Sequence, residues 1–151
     1  MTIKQITIQE IDCVVNLFNQ YRIFYKQPSD IALAEQFIAQ RLSNNESVIF
    51  VAFNHNVQPV GFTQLYPTYS SMRVSKNWIL NDLYVEADQR KQGIGAALIK
   101  TAMDFALNDG ASYLALSTAV DNYTAQALYE AIGFIRQEPD TAFFHYRIAL
   151  K

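Results

Sequence analysis

Apolar residues recur along this chain first at helical spacing and then in β-branched and aromatic runs, and the alternation lays out its elements. Residues 2 to 7 read as a short strand. From Thr7 or Gln9 onward, Ile11, Val14, Val15, Phe18 and Tyr21 predict a first helix reaching about Phe24. Pro28, with Ser29 or Asp30 as cap, opens a second helix striped by Ile31, Ala34, Phe37, Ile38 and Leu42, which Asn44 and Asn45 end. Ser47 to Phe53 is a strand, and Asn54-His55-Asn56 turns it into a hairpin with Gln58 to Tyr66. Pro67 to Ser75 is polar and turn-rich, and Lys76 to Val85 is a third long strand.

Farther on, Ile94, Leu98, Ala102, Phe105 and Ala106 mark the buried face of a helix whose left-handed terminal cap falls on Gly110. Tyr113 to Thr118 reads as a strand. Asp121 or Asn122 caps a fourth helix with Leu128 and Ile132 inward, closed by Gly133 and an apolar contact from Phe134. Phe134 to Arg136 and Ala142 to Leu150 read as two last strands around Glu138-Pro139-Asp140. The order β-α-α-β-β-β-α-β-α-β-β predicts an α/β (α+β) fold, a mixed, mainly antiparallel central sheet with helices on both faces. With no repeats, low-complexity tracts or linkers, one domain spanning 1–151 is expected.

Composition narrows the function classes. Half the residues are hydrophobic, enough for a real core, and a net charge of −2 gives no broad field for nucleic acid. A lone cysteine, Cys13, excludes an internal disulfide framework and suits a reducing cytosol; its apolar helical setting reads as an inert thiol. No apolar run approaches membrane-spanning length and no signal-peptide layout opens the chain, so a cytoplasmic protein without a membrane partner is expected. His55 and His145 have no Cys, His or carboxylate at ligand spacing, so no metal is expected.

The densest chemistry lies between Asn81 and Leu98, where a strand runs through a basic glycine turn into a helix. Free backbone amides and the helix dipole at such a junction favour an anion. Gly93 and Gly95 let the backbone approach a phosphate closely, and Arg90 and Lys91 add positive charge, so a pyrophosphate is the expected ligand. Neither a Rossmann fingerprint nor a P-loop is present: position 98 is Leu98, and Ala96 follows Gly95. In isolation, glycines used only for turning would look the same.

Arg90-x-x-Gly93-x-Gly95 after Leu83-Tyr84-Val85 is similar to the acetyl-coenzyme A motif of the GNAT family of N-acetyltransferases, and Asn122 to Phe134 resembles that family's C-terminal motif. The resemblance is close over roughly the second half and covers the first half only in its order of elements. It implies acetyl-CoA as cofactor, bound in an opening between the strand before the glycine turn and the strand after the following helix. By the same implication Leu83, Tyr84 and Val85 meet the pantetheine arm, Arg90, Lys91, Gln92, Gly93, Ile94, Gly95 and Ala96 surround the pyrophosphate, and Asn122 and Ala125 meet the coenzyme again. Tyr129 matches the family's general acid, and a homodimer is expected.

Amine acetylation needs a base as well as an acid, because an alkyl ammonium with pKa near 10.4 is free base in only about one molecule in a thousand at pH 7. Asp82 is the candidate. Strand alternation puts it on the face shared with Leu80 and Tyr84, opposite Asn81 and Leu83. It could act through water, hold the substrate's ammonium, or pair with a structural arginine. The stretch Leu80 to Val85 resembles the Glu-Asp pair before an aromatic-Val in polyamine and thialysine acetyltransferases, with Asn81 where their glutamate stands. Tyr25, Tyr66, Trp78 and Asn81 are substrate-side candidates, with Tyr21 and Tyr69 as further aromatics that could take a cationic amine, though core or rim placement would also explain them. No Gly-x-Ser-x-Gly elbow is present and Cys13 has no evident base partner, which favours direct attack by the amine. The expected activity is acetyl transfer to a small primary amine or a lysine-bearing substrate. A protein N-terminal or lysine acetyltransferase and a non-catalytic acyl-CoA-binding module are the alternatives.

Overall fold

The computed structural model describes residues 1–151 and divides into two compact units, Met1–Ser117 and Thr118–Lys151. The first unit holds a five-stranded sheet in the order β1-β2-β3-β4-β5: Thr2–Gln5, Val48–Phe53, Pro59–Ser70, Ser75–Val85 and Leu114–Ala115. The first three pairings are antiparallel and the last, β4 with β5, is parallel.

Two helices cover one face. After a short 3-10 turn capped by Thr7, α1 (Asp12–Phe24) buries Val14, Val15, Leu17 and Phe18, and α2 (Ile31–Ser43) buries Ala34 and Ile38. Asp30 caps α2 by accepting from the Leu33 N–H at 3.0 Å, and Asn45 at φ 53 turns the chain out of it. Buried Asn19 ties the connection down, donating to Ser29 Oγ and accepting from the Asp30 N–H, both at 3.0 Å. On this face Phe18 of α1 meets Phe62 of β3 edge to face, with ring centroids 6.2 Å apart.

The opposite face takes α3 (Ile94–Asn108), which buries Ile94, Leu98, Ile99, Ala102 and Ala106. Phe105 of α3 packs edge-on against Phe50 of β2 and Trp78 of β4. Gly110 at φ 85 ends this helix, its N–H reaching the Leu107 carbonyl at 3.0 Å.

Three strand expectations change. The β3-β4 hairpin extends to Ser70 and Ser75, so Pro67 lies inside a strand rather than a loop. It is tolerated because β2 ends opposite Leu65, leaving β3 with β4 alone as neighbour there. The strand expected over Tyr113 to Thr118 shortens to Leu114–Ala115, because the Asn77 side chain takes the N–H groups of Ser112 and Tyr113 and the ladder to β4 stops at Ile79. In the second unit, Phe134 to Arg136 and Ala142 to Leu150 form no strand. Alternation there specifies an extended chain with two faces, but a strand also needs a neighbouring edge for its backbone groups, and Phe144, Tyr146, Ile148 and Leu150 stay 82–91% exposed.

The second unit's helix, α4 (Tyr123–Ile132), forms as its signals direct. Asn122 Oδ1 accepts from the Ala125 N–H at 3.2 Å, and Gly133 at φ 120 lets the Phe134 N–H return to the Tyr129 carbonyl at 3.0 Å. The Phe134 ring then meets Tyr129 edge-on at 6.0 Å.

Candidate active site

A β-bulge fixes which side chains meet on the α1 face. Gln64 lies opposite Asp82, but Leu65 lies opposite Leu80, so Asn81 is an extra residue in β4. Asp82 therefore shares its face with Tyr84, as simple alternation predicts, while Leu80 turns to the α3 side with Trp78. The expected grouping of Leu80 with Asp82 fails because each bulge residue shifts the pleat by one.

Asp82 is only 3% exposed. The Gln64 amide donates to its Oδ2 and the Asn81 amide to its Oδ1, the latter at 2.8 Å. The Tyr21 hydroxyl stands over the same corner, 3.5 Å from the Asn81 carbonyl oxygen. None of these partners is a cation and no ion pair involves Asp82, which removes pairing with a structural arginine from its three roles. Burial raises the Asp82 pKa above its ordinary 3.8, while the bonds from Gln64, Asn81 and Tyr21 pull it part of the way back. Burial, and then the Asp82 charge, push the Tyr21 phenol well above its usual range and the Tyr66 phenol to about 12.

Among the substrate-side candidates, Tyr66 and Asn81 stand with Asp82, and Tyr25 packs edge-on against Tyr21 at 5.0 Å with its own ring half exposed. Trp78 does not join them. It is buried on the α3 side, where its indole N–H donates to Asp109 Oδ2 at 2.8 Å and Lys76 lies over the ring. Tyr69 is exposed in the extended hairpin. Gln64, the direct neighbour of the carboxylate, is not among the sequence candidates for the site: a glutamine within the apolar run Val60 to Leu65 is a weak signal, and cross-strand register cannot be read from spacing.

The same strand carries the second half of the site. Past Ile79, β4 has no partner on its β5 side, so Leu83, Tyr84 and Val85 lie along an edge with no neighbouring strand. The turn that follows is curled by left-handed backbone at Lys91 (φ 61) and Gly93 (φ 81). Arg90 braces it: Nε donates to the Val85 carbonyl at 2.8 Å, and the guanidinium lies over the Phe24 and Tyr84 rings. Beyond Gly93, the N–H groups of Ile94, Gly95 and Ala96 open α3 with no carbonyl one turn behind them. A Cβ built on Gly93 would meet nothing within 4 Å, so the space over the turn is open. Exposed Lys91 and Gln92 flank it. Free amides, a helix dipole and a neighbouring cation fit a diphosphate. Gly61, unremarked in the sequence, sets the strand end: a Cβ there would lie 2.9 Å from the Tyr84 carbonyl oxygen.

Asn122, Ala125 and Tyr129 lie in the second unit, the first two bonded to each other at the start of α4 and Tyr129 in its last turn. No group of three metal-ligating side chains exists, and no helix is long and apolar enough to cross a membrane. Cys13 is half-buried against the α1 core.

Comparison with known proteins gives the arrangement its context. Residues 12–134 match the model of the acetyltransferase (GNAT) family. The uncharacterized N-acetyltransferase YhfO of Bacillus subtilis is 45% identical over 146 residues, covering 97% of this chain and 95% of its own. Thialysine N-epsilon-acetyltransferase of Bos taurus is 39% identical over 74 residues, 49% of this chain and 43% of its own. The crystal structure of a probable acetyltransferase, 37% identical, superposes with a TM-score of 0.88 over 100% of this chain and 99% of that one. With its family match running through both motif blocks and a close relative along nearly its full length, the chain belongs to the GNAT family and is an acetyltransferase.

Proposed function

We propose that this acetyltransferase moves an acetyl group from acetyl-CoA to a primary amine that arrives as a cation, and that Asp82 receives that cation. The observation carrying this reading is a buried carboxylate surrounded only by neutral donors. An ammonium about 4 Å away would supply the missing charge, an attraction of about 4 kcal/mol at an effective dielectric of about 20. With its pKa raised, the Asp82 carboxylate is also a better proton acceptor than an exposed aspartate, so it can take the ammonium proton directly or through a water. Tyr21, Tyr25 and Tyr66 would offer ring faces to the cation on its way in. The bovine relative is named for acetylating thialysine at its ε nitrogen, which supports a small acceptor with an amine on a flexible arm.

Acetyl-CoA supplies the thioester that the amine attacks. Arg90, Lys91 and Gln92, with the backbone of Gly93, Ile94, Gly95 and Ala96, would hold its diphosphate. The open edge at Leu83, Tyr84 and Val85 would pair with the amide-bearing arm, a free N–H there facing the thioester oxygen. The resemblance to the family is what assigns Asn122 and Ala125 a second coenzyme contact and Tyr129 the return of a proton to the departing sulfur.

A panel of amines assayed by free thiol release with acetyl-CoA tests the reading; turnover of a primary amine is expected, and silence across the panel, or turnover of uncharged acceptors alone, would sink it. Tyr129→Phe should lower kcat on the order of 10²-fold while coenzyme binding by calorimetry holds, whereas unchanged turnover removes Tyr129 from the acid role. Gly93→Val must hold a β-branched residue at φ 81, so the coenzyme dissociation constant should rise about tenfold. Unaltered affinity would move the diphosphate off this turn.

A further inference from the structure

Three buried polar side chains run in a line across the central strands: Ser47 at the entry to β2, Gln64 in β3 and Asp82 in β4, which are 8%, 0% and 3% exposed. A buried amide must have both ends bonded. Gln64 Oε1 accepts from the Ser47 hydroxyl at 2.7 Å, and Gln64 Nε2 donates to Asp82 Oδ2. The two ends are not interchangeable, because a flipped amide would set its carbonyl lone pairs against the carboxylate. Ser47, by donating to Oε1, favours the orientation in which Nε2 faces Asp82. Asn81 holds the other carboxylate oxygen, so the plane of the group is fixed from two sides.

We propose that Gln64, held in orientation by Ser47, is a positioning residue for acetyl transfer, fixing the Asp82 carboxylate and keeping it ionised for the incoming amine. This rests on the acceptor-side role of Asp82. Burial favours the neutral acid, and the donors around the carboxylate oppose that tendency, Gln64 first among them. The titratable groups facing Asp82 are Tyr21 from α1 and Tyr66 from β3; Arg41 and Glu46, at and just beyond the end of α2, face Tyr66. Tyr66 stays neutral below about 12 and Tyr21 is raised as well, so a midpoint read at this spot well below that range belongs to Asp82.

The test is carboxyl carbon NMR of protein labelled at aspartate, with the Asp82 signal assigned by its loss in Asp82→Asn, alongside kinetics with a short linear diamine as acceptor. In Gln64→Leu the Asp82 midpoint should rise by about one to two pH units. Ser47→Ala should move it the same way by less, and Ser47→Thr, which keeps the hydroxyl, should restore it. Diamine turnover should fall about tenfold or more in Gln64→Leu, its acid limb moving with the NMR midpoint while the KM for acetyl-CoA holds. If Gln64→Leu does not fold, Ser47→Ala decides. An Asp82 midpoint that stays put in the folded variants overturns the inference. A midpoint that moves while diamine turnover does not overturns instead the acceptor role of Asp82.

Discussion

Replacing Asp82 by asparagine should lower kcat/KM for a primary amine on the order of 10²- to 10⁴-fold at neutral pH, the range removed with a general base. Asparagine keeps the size of the side chain but neither attracts an ammonium nor accepts its proton. In the wild type, the acid limb of kcat/KM should lie above the ordinary 3.8 of an aspartate, because burial raises this group, and that limb should vanish in the variant. Retention of activity within about threefold would exclude Asp82 from both roles.

The same substitution has a stability signature whose sign is opposite to the common aspartate case. Since the folded pKa of Asp82 is raised, the folded protein keeps this proton at pH values where the unfolded chain has lost it. Its contribution is therefore most favourable below 3.8, declines as pH rises through the raised folded value, and stays as a constant cost above it. Denaturant unfolding of wild type and Asp82→Asn across that window should show the variant gaining relative stability as pH rises. Parallel pH profiles would mean the carboxylate is not held as described.

Phe62→Ala should be the most destabilising single change on the α1 face, costing about 3–5 kcal/mol out of the roughly 5–15 that keep a domain folded. Phe62 is fully buried, and Phe18 and Tyr21 pack edge-on against its ring, at 6.2 and 5.9 Å. Losing it opens a cavity under both. At about 2–4 °C per kcal/mol for a chain of this size, the melting midpoint should fall by roughly 6–20 °C. Activity should fall further than stability alone explains, because Tyr21 loses the ring that backs it beside Asp82. A midpoint shift below about 3 °C in calorimetry would mean that α1 collapses onto the sheet and fills the space.

The helices and their ends were legible because their causes are local. Asp30 caps α2, Asn122 caps α4, and Gly110 and Gly133 supply left-handed ends to α3 and α4, each within a turn of the residues it serves. The strand, glycine turn and helix from Asp82 to Leu98 were readable for the same reason. The strands were legible as extended segments but not as ladders: Leu114–Ala115 is shorter than its β-forming composition suggests, and Ala142 to Leu150 pairs with nothing.

The sequence by itself therefore determined the order of elements as far as α4, the helix caps and the glycine turn before α3, since φ/ψ preference and amphipathic spacing act over a few residues. Tertiary structure alone decided which side chains meet. The extra residue at Asn81 separates Leu80 and Trp78 from Asp82, and Gln64 becomes the neighbour of Asp82 only through the pairing of β3 with β4. Register is a long-range choice, made by the burial of whole strand faces against α1 and α3, and no spacing along the chain encodes it.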